Sequence, residues 1–516
     1  MLKSLKNNFF IGIDNGTQGT KTIVVEGESG TIISKATKSY GLLDGLPPGH
    51  KEQDPSIWIE ALHMTVKEAL KDAKIDPKTV KAIGVSGQQH GFVPIDAFGK
   101  VIRPAKLWND TSTSQECEYL EKILGGRSSV VKLIGNAILP GYTAPKILWL
   151  RRHEPENYAK LVTVLLPHDY LNFYLTGNKI MECGDASGTA LLNVRTRTWS
   201  KKIIEAIDPD LEFKLPVIQE SDKYVGKVKS DIAPLFGFSE DVLVSAGGGD
   251  NMMGAIGTGN TYKGIVTASL GTSGTIYAYS DAPAIDEEGE IAAFCDSTNA
   301  WLPLSCTMNV TVATELVRQV FNMSYDDLTK VTQLAPVGSG GLILLPYFEG
   351  ERTPNIPDGT GVLYGLNSRT FNAPHICRAA MEGVTLGMNY GLNKMKKLGI
   401  EPTQIRLTGG GSRNKAWRQI AADVFNSDVV CLENEEGAAY GAALQAIWSF
   451  LNYLGEKTSI QDITDQHVRL DHETLTSPNQ SNVEAYNQLQ RIQDEISRGL
   501  RNSFKIHREF LNKNVS

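Results

Sequence analysis

Asp14-Asn15-Gly16-Thr17-Gln18-Gly19-Thr20 interrupts two β-like runs within Ile11–Val25, and the same order of parts returns within Ile265–Ser280 as Leu270-Gly271-Thr272-Ser273-Gly274-Thr275. Gly16 and Gly271 stand about half a chain length apart in 516 residues, so each half opens on one plan. A loop of small residues exposes backbone N–H groups and admits an anion at close range. Two such loops facing one another would hold a polyphosphate between two domains. Asn15-Gly16 between apolar runs is equally a hairpin signal, and the sequence leaves both readings open for either copy alone. Duplication favours the ligand-binding one, because paired domains commonly share a cleft. A P-loop is excluded: that motif sets Gly directly before its Lys, and here Thr20 precedes Lys21. No Gly-x-Gly-x-x-Gly occurs at the glycine clusters around 247–249, 338–341 or 409–411, so a dinucleotide fold gains no support.

The chain is too long for one core and suits two large domains, divided here as 1–254 and 255–516. With 41% hydrophobic and 21% charged residues it has an ordinary globular composition, and a formal net charge of −7 argues against a nucleic-acid partner. Six cysteines without a C-x-x-C pair argue against a zinc site or a disulfide framework. The N-terminal apolar run stops at Asp14 without a small-residue cleavage site, and no run of about 18 apolar residues occurs. The expectations are a cytoplasmic location and no membrane partner.

Strand-like runs alternate with helical periods, which is the α/β signature. Phe9–Ile13, Thr20–Glu26 and Thr31–Ser39 read as an antiparallel meander. A helix follows, with Asp54 as N-cap, Pro55 at its first position and Trp58, Ala61, Leu62, Thr65, Val66 and Ala69 on one face. Ala82–Val85, Leu161–Leu166 and Val242–Ala246 read as buried strands. In the second half, strands at Ile265–Leu270, Thr275–Tyr279, Ile405–Thr408 and Val429–Leu432 alternate with helices at Asn372–Leu398, Asn414–Phe425 and Glu435–Phe450. The stripe Val483, Tyr486, Leu489, Ile492, Ile496, Leu500 and Phe504 predicts one closing helix docked on the body.

The polar residues at strand ends carry the chemistry. Asp14 beside a phosphate loop would repel its ligand unless a divalent cation such as Mg2+ lay between them; it could also hydrogen-bond its own turn. Gly247-Gly248-Gly249-Asp250-Asn251 follows a buried strand and sets Asp250 at the mouth of a helix. There it could cap the helix or act as the base that phosphoryl transfer to a hydroxyl requires. Gln88, Gln89 and His90 end another buried strand in the usual ligand crevice. Two glutamines beside a histidine suit sugar hydroxyls, and Trp108-Asn109-Asp110 could add an apolar face and further hydrogen bonds. Gly409-Gly410-Gly411-Ser412 could floor a purine or merely turn a strand into a helix. Gly437-Ala438-Ala439-Tyr440-Gly441-Ala442-Ala443 reads as a helix packed closely on a sheet.

Together these motifs resemble the FGGY carbohydrate kinases, and within them the xylulokinase branch, from about Phe10 to Phe450. Gly141-Tyr142-Thr143-Ala144-Pro145-Lys146-Ile147-Leu148-Trp149-Leu150 is similar to the first signature of that family. Gly361-Val362-Leu363-Tyr364-Gly365-Leu366 through His375-Ile376-Cys377-Arg378-Ala379-Ala380-Met381-Glu382 is similar to its second. Leu166-Pro167-His168-Asp169-Tyr170-Leu171 and Gly350-Glu351-Arg352-Thr353-Pro354 look like further xylulokinase stretches.

The resemblance implies an α/β fold of duplicated ribonuclease-H-like domains, the actin/sugar kinase/Hsp70 core, with the active site in the interdomain cleft. It implies ATP-dependent phosphorylation of D-xylulose, with a kinase for another ketose or polyol, or a nucleotide switch, as alternatives. By resemblance Asp250 is the catalytic base and Asp14 the Mg2+-side carboxylate. Gln89, His90, Asp250 and Asn251 bind the sugar; Thr17, Gly271, Thr272, Gly410, Gly411 and Asn414 bind ATP. A homodimer is a further expectation, since the family often forms one. Two departures lie on the sugar side: Gln89 stands where xylulokinases often have Met, and Ser112 where many members have Arg.

Overall fold

Alternate residues of the strand Phe9–Asn15 go to opposite faces of one sheet, as the two-residue repeat of a strand requires. Ile11 and Ile13 join Val24, Trp58, Leu62 and Val66 on one side, while Phe10 joins Ile23, Val25, Ala443 and Ile447 on the other. Both faces are covered, which is why the strand reads as an unbroken apolar run. The structure is a computed structural model and describes residues 3–514. In it Phe9–Asn15 pairs antiparallel with Gly19–Glu26, and that strand with Ile32–Ser39, so the expected meander forms.

The helix Ser56–Ala73 carries the chain across the sheet to the strand Val80–Gly87, which lies parallel to Phe9–Asn15. All six residues of its predicted apolar face are buried. The helix starts one residue later than its sequence suggests, and Asp54 still accepts the Ser56 N–H at 2.9 Å. Leu243–Ser245 and Tyr224–Lys227 extend the sheet beyond Val80–Gly87. The predicted strand Leu161–Leu166 shrinks to Thr163–Leu165 and pairs with Val93–Ile95 outside this sheet.

The chain packs as two units. The first runs through Tyr262 and also takes Tyr279–Pro303 and Glu436–Val468; the second holds Lys263–Ala278, Leu304–Glu435 and the chain from Arg469 onward. The units are therefore not contiguous halves, and residue 254 falls within the helix Asp250–Gly257. The segment returning to the first unit includes the helix Gly437–Tyr453, which covers the second face of its sheet. It lies almost backbone on backbone there, as its small-residue sequence suggested. A Cβ on Gly12 would strike the Ala439 carbonyl, and one on Gly84 the Ala442 carbonyl.

The second unit repeats the plan. Ile265–Leu270 pairs antiparallel with Gly274–Ala278 and parallel with Gln404–Thr408, as Phe9–Asn15 does with Gly19–Glu26 and Val80–Gly87. Asp428–Leu432 and Leu470–Thr476 continue that sheet. The closing helix is broken at Leu500 into Gln480–Gly499 and Arg501–Asn514. It docks within the second unit by Val483, Tyr486 and Phe504, but polar groups share the seam: Tyr486 donates to Glu382 at 2.7 Å, and Asn389 to Gln490 at 3.0 Å. Among the described residues no helix is long and apolar enough to cross a membrane.

Candidate active site

Parallel pairing of Phe9–Asn15 with Val80–Gly87 sets Asp14 beside Ser86 at the carboxyl ends of both strands. Ser86 donates to Asp14 Oδ1 at 2.9 Å. Burial pushes the Asp14 carboxyl up, against that hydrogen bond and the charge of Lys21. Lys21, opposite Asp14 across the hairpin, pairs with Glu436 at 2.6 Å. The Gly-Thr loop between these strands closes as a hairpin, with the Gly16 N–H on the Gly19 carbonyl at 3.0 Å. The Thr17 side chain is already engaged: it donates to Gln88 Oε1 and accepts from Trp108 Nε1, each at 2.9 Å. Gln53 Nε2 reaches the Thr17 carbonyl at 2.7 Å. The structure thus joins Thr17 to Gln53, Gln88 and Trp108.

Gly248–Gly249 pairs with Ser86–Gly87, which carries the next loop to the same end of the sheet. Only glycine fits there: Gly247 has φ of 73° with the Val85 carbonyl 2.5 Å from its would-be Cβ, and a Cβ on Gly249 would lie 2.6 Å from Gln89 Cγ. Gly249 takes the N-cap position and Asp250 the first residue of the helix Asp250–Gly257. Asp250 Oδ1 accepts from the Asn251 N–H at 2.8 Å and from Asn251 Nδ2 at 3.0 Å. Burial, then the charges of Asp14 and Asp185, push the Asp250 carboxyl up to about 7 against those hydrogen bonds. A carboxylate poised near neutrality is suited to accept a proton.

Asn251 Nδ2 also donates to Gln89 Oε1 at 2.8 Å, so Asp250, Asn251 and Gln89 form one chain of contacts. Gln89 is only 4% exposed, and among the described residues its Nε2 has no hydrogen-bond partner. His90, next to it, has φ of 65°, a left-handed conformation that few non-glycine residues adopt. Its ring lies against Tyr142 and Phe294, with centroids 4.6 and 5.6 Å away.

Two buried clusters escaped the sequence reading as sites. His168 is clamped by Asp185 at 2.7 Å and Asp169 at 3.0 Å; burial opposes its charge, but the two carboxylates hold it well above the ordinary histidine range. Nothing in the spacing of positions 168 and 185 announces that pair. His50, Glu52 and Asp110 bring ligating atoms within 4.8 Å of one another, as a metal centre would. Lys106 Nζ stands among them instead, 3.0 Å from Glu52, 3.2 Å from Asp110 and 3.2 Å from His50. The fully buried Asp110 also accepts from Ser112 Oγ at 2.5 Å and the Lys51 N–H at 2.9 Å. Asp110 therefore holds its own loop, and of the Trp108–Asp110 stretch it is Trp108 that touches Thr17.

In the second unit the Gly271 and Thr272 carbonyls accept from the Thr311 and Val310 N–H groups at 2.9 and 3.0 Å, which fixes the second Gly-Thr loop. Gly409, with φ of 80°, abuts it: a Cβ there would lie 3.0 Å from the Gly271 nitrogen. Gly410 faces open space. Gly410, Gly411, Asn414, Thr311, Tyr325 and Trp417 help line a cavity of about 520 Å³, whose lining includes neither Gly271 nor Thr272. The size and the mixed polar and aromatic wall suit a small-molecule ligand. Asn414 is also the cap of the helix Lys415–Phe425, accepting from Ala416 and Trp417, and its Nδ2 donates to Thr329 at 2.9 Å. Gly410, Gly411 and Asn414, expected on the adenosine side, thus line one cavity, with Asn414 also a structural cap.

Residues 9–257 match the N-terminal domain of the FGGY family of carbohydrate kinases, and residues 266–450 its C-terminal domain. The chain is 43% identical over 483 residues to a xylulose kinase of Haemophilus influenzae, covering 92% of this chain and 97% of that one. It is similar to the crystal structure of a xyloylose kinase from Brucella ovis, with 28% identity, TM-score 0.88, and 96% and 100% of the two chains covered. It is likewise similar to a ligand-bound xylulose kinase from Lactobacillus acidophilus, with 25% identity, TM-score 0.90, and 97% and 100% covered. Two matched domains of this kind, each with its glycine-loop hairpin in place, settle the lineage: the chain belongs to the FGGY family of carbohydrate kinases.

Proposed function

We propose that this protein transfers the γ-phosphoryl group of ATP to the terminal hydroxyl of D-xylulose, giving D-xylulose 5-phosphate and ADP. The observation that carries this reading is the Asp250 carboxylate, held near neutrality at a helix start and linked through Asn251 to the buried amide of Gln89. Xylulose kinases among the relatives support the choice of sugar. Asp250 accepts the hydroxyl proton as the new oxygen–phosphorus bond forms. Gln89, His90 and Asn251 orient the ketose, and the Gln89 Nε2 donor meets one of its hydroxyls.

Asp14 offers a half-buried carboxylate, which fits the hard oxygen donors that Mg2+ prefers. When bound, Mg2+ would neutralise phosphate charge. Backbone amides of Thr17, Gly271 and Thr272 take the phosphates; Gly410, Gly411 and the cap residue Asn414 form the wall for adenosine. The reaction belongs in the cytoplasm, where ATP is supplied.

A coupled ADP-release assay over D-xylulose, D-ribulose, L-ribulose and polyols tests the proposal. D-xylulose should give the highest kcat/KM. Sugar-independent turnover would instead indicate a nucleotide switch, and a preference for another ketose would reassign the substrate. The Gln89→Met variant should shift the ranking among the three pentuloses by about tenfold, the worth of one hydrogen bond to a buried group. An unchanged ranking removes Gln89 as selector.

A further inference from the structure

Lys146 is a fully buried lysine, and among the described residues no carboxylate pairs with it. It sits in the first turn of the helix Thr143–His153, three residues after Thr143, so the two share a face. That face meets His90. Lys146 Nζ donates to the His90 carbonyl at 2.8 Å and to the Gly141 carbonyl at 2.7 Å, and Thr143 Oγ1 donates to the same His90 carbonyl at 3.1 Å. Tyr142, which leads into the helix, lays its ring on the His90 imidazole. Contacts from Tyr142, Thr143 and Lys146 therefore all fall on His90, a residue with left-handed backbone.

That conformation does not persist unaided in an L-residue with a bulky side chain; the surroundings must over-determine it. A fully buried ammonium serving only two carbonyls is a costly way to pack a helix. Its placement is explained if the peptide after His90 has to be fixed. Burial lowers the Lys146 amine to about 7, with Lys106 acting in the same sense and Asp110 and Cys117 against it. A neutral amine keeps two N–H groups, one for each carbonyl, so the clamp survives deprotonation.

We infer that Lys146 is a positioning residue which, with Thr143 and Tyr142, clamps the His90 backbone in the geometry that presents Gln89 and His90 to the sugar. The inference rests on the reading of those two residues as sugar contacts. Kinetics on the full-length enzyme, with D-xylulose and ATP varied separately, test it. Lys146→Met keeps the stem and removes the donors; it should raise the KM for D-xylulose about tenfold or more and leave the KM for ATP unchanged. In a His90→Ala background the same change should add less than it does in the wild type, because part of its effect runs through the His90 side chain.

Equal rises in both KM values, or full additivity with His90→Ala, would overturn the clamp. Should Lys146→Met fail to fold, Thr143→Val carries the test: it should raise the sugar KM about threefold, with Thr143→Ser restoring it, and identical KM values across the three would refute the inference. A His90→Ala enzyme with wild-type sugar KM would instead refute the sugar-site reading itself.

Discussion

Asp250 is held where its ionised form is least welcome, because burial and the charges of Asp14 and Asp185 all act against it. The folded value of about 7 lies above the 3.8 of the free side chain. The native state thus binds the proton more tightly, and ionisation destabilises it as pH rises through 7. Asp250→Asn should accordingly raise stability by an order of a few kcal/mol above pH 7, with the gain fading toward pH 4. Thermal melts at pH 8 and pH 5 check this; a gain that is equal at both values contradicts it. The positions of Asp14, Gln89, His90 and Asp250 were legible because each stands at or a few residues beyond the carboxyl end of a buried strand, where apolar runs stop at polar residues. The engagements of Thr17 with Gln88 and Trp108, 71 and 91 residues away, were not, since nothing local encodes a partner at that separation. Asn414 could have been read as a cap from the helical pattern that follows it, but its bond to Thr329 could not.

Among the elements, the helix Gly437–Tyr453 has the tightest fit. Gly12 and Gly84 lie beneath it, and its own Gly441 meets the Met253 carbonyl of the helix that begins at Asp250. Backbone atoms cannot move aside as a side chain can, so Gly84→Ala should cost more than about 3 kcal/mol. Gly387, within the helix Ala373–Lys397, has nothing within 4 Å of its would-be Cβ. Gly387→Ala should stabilise by about 0.5–1 kcal/mol through helix propensity alone. Denaturant melts of the two variants check the contrast, and similar losses in both would refute the packing argument. The small-residue sequence disclosed that this helix packs closely, but not on which sheet. The closing helix shows the converse. Its apolar stripe marked the docking face, while the break at Leu500 and the polar seam at Tyr486 and Gln490 depend on partners elsewhere in the chain.

On the scale of the whole molecule, the repeated Gly-Thr hairpins disclosed the duplication, and both sheets carry the same antiparallel-then-parallel strand arrangement. The return of Glu436–Val468 to the first unit was hidden, because a chain's order in sequence does not dictate which sheet a later helix covers. A fragment ending at residue 254 lacks that cover, leaving Phe10, Ile23 and Val25 open to water. It should show no cooperative thermal transition, whereas adding the segment 436–468 in trans should restore one; a fragment that melts cooperatively alone refutes this assignment. The central claim is proton acceptance by Asp250 during transfer to a sugar. Its most direct measurement compares D-xylulose-dependent ADP release by the wild type and Asp250→Asn, with ATP affinity measured in parallel. The account predicts a fall in kcat of about 10²–10⁴-fold with ATP binding retained, and turnover by the variant within a few-fold of wild type would contradict it.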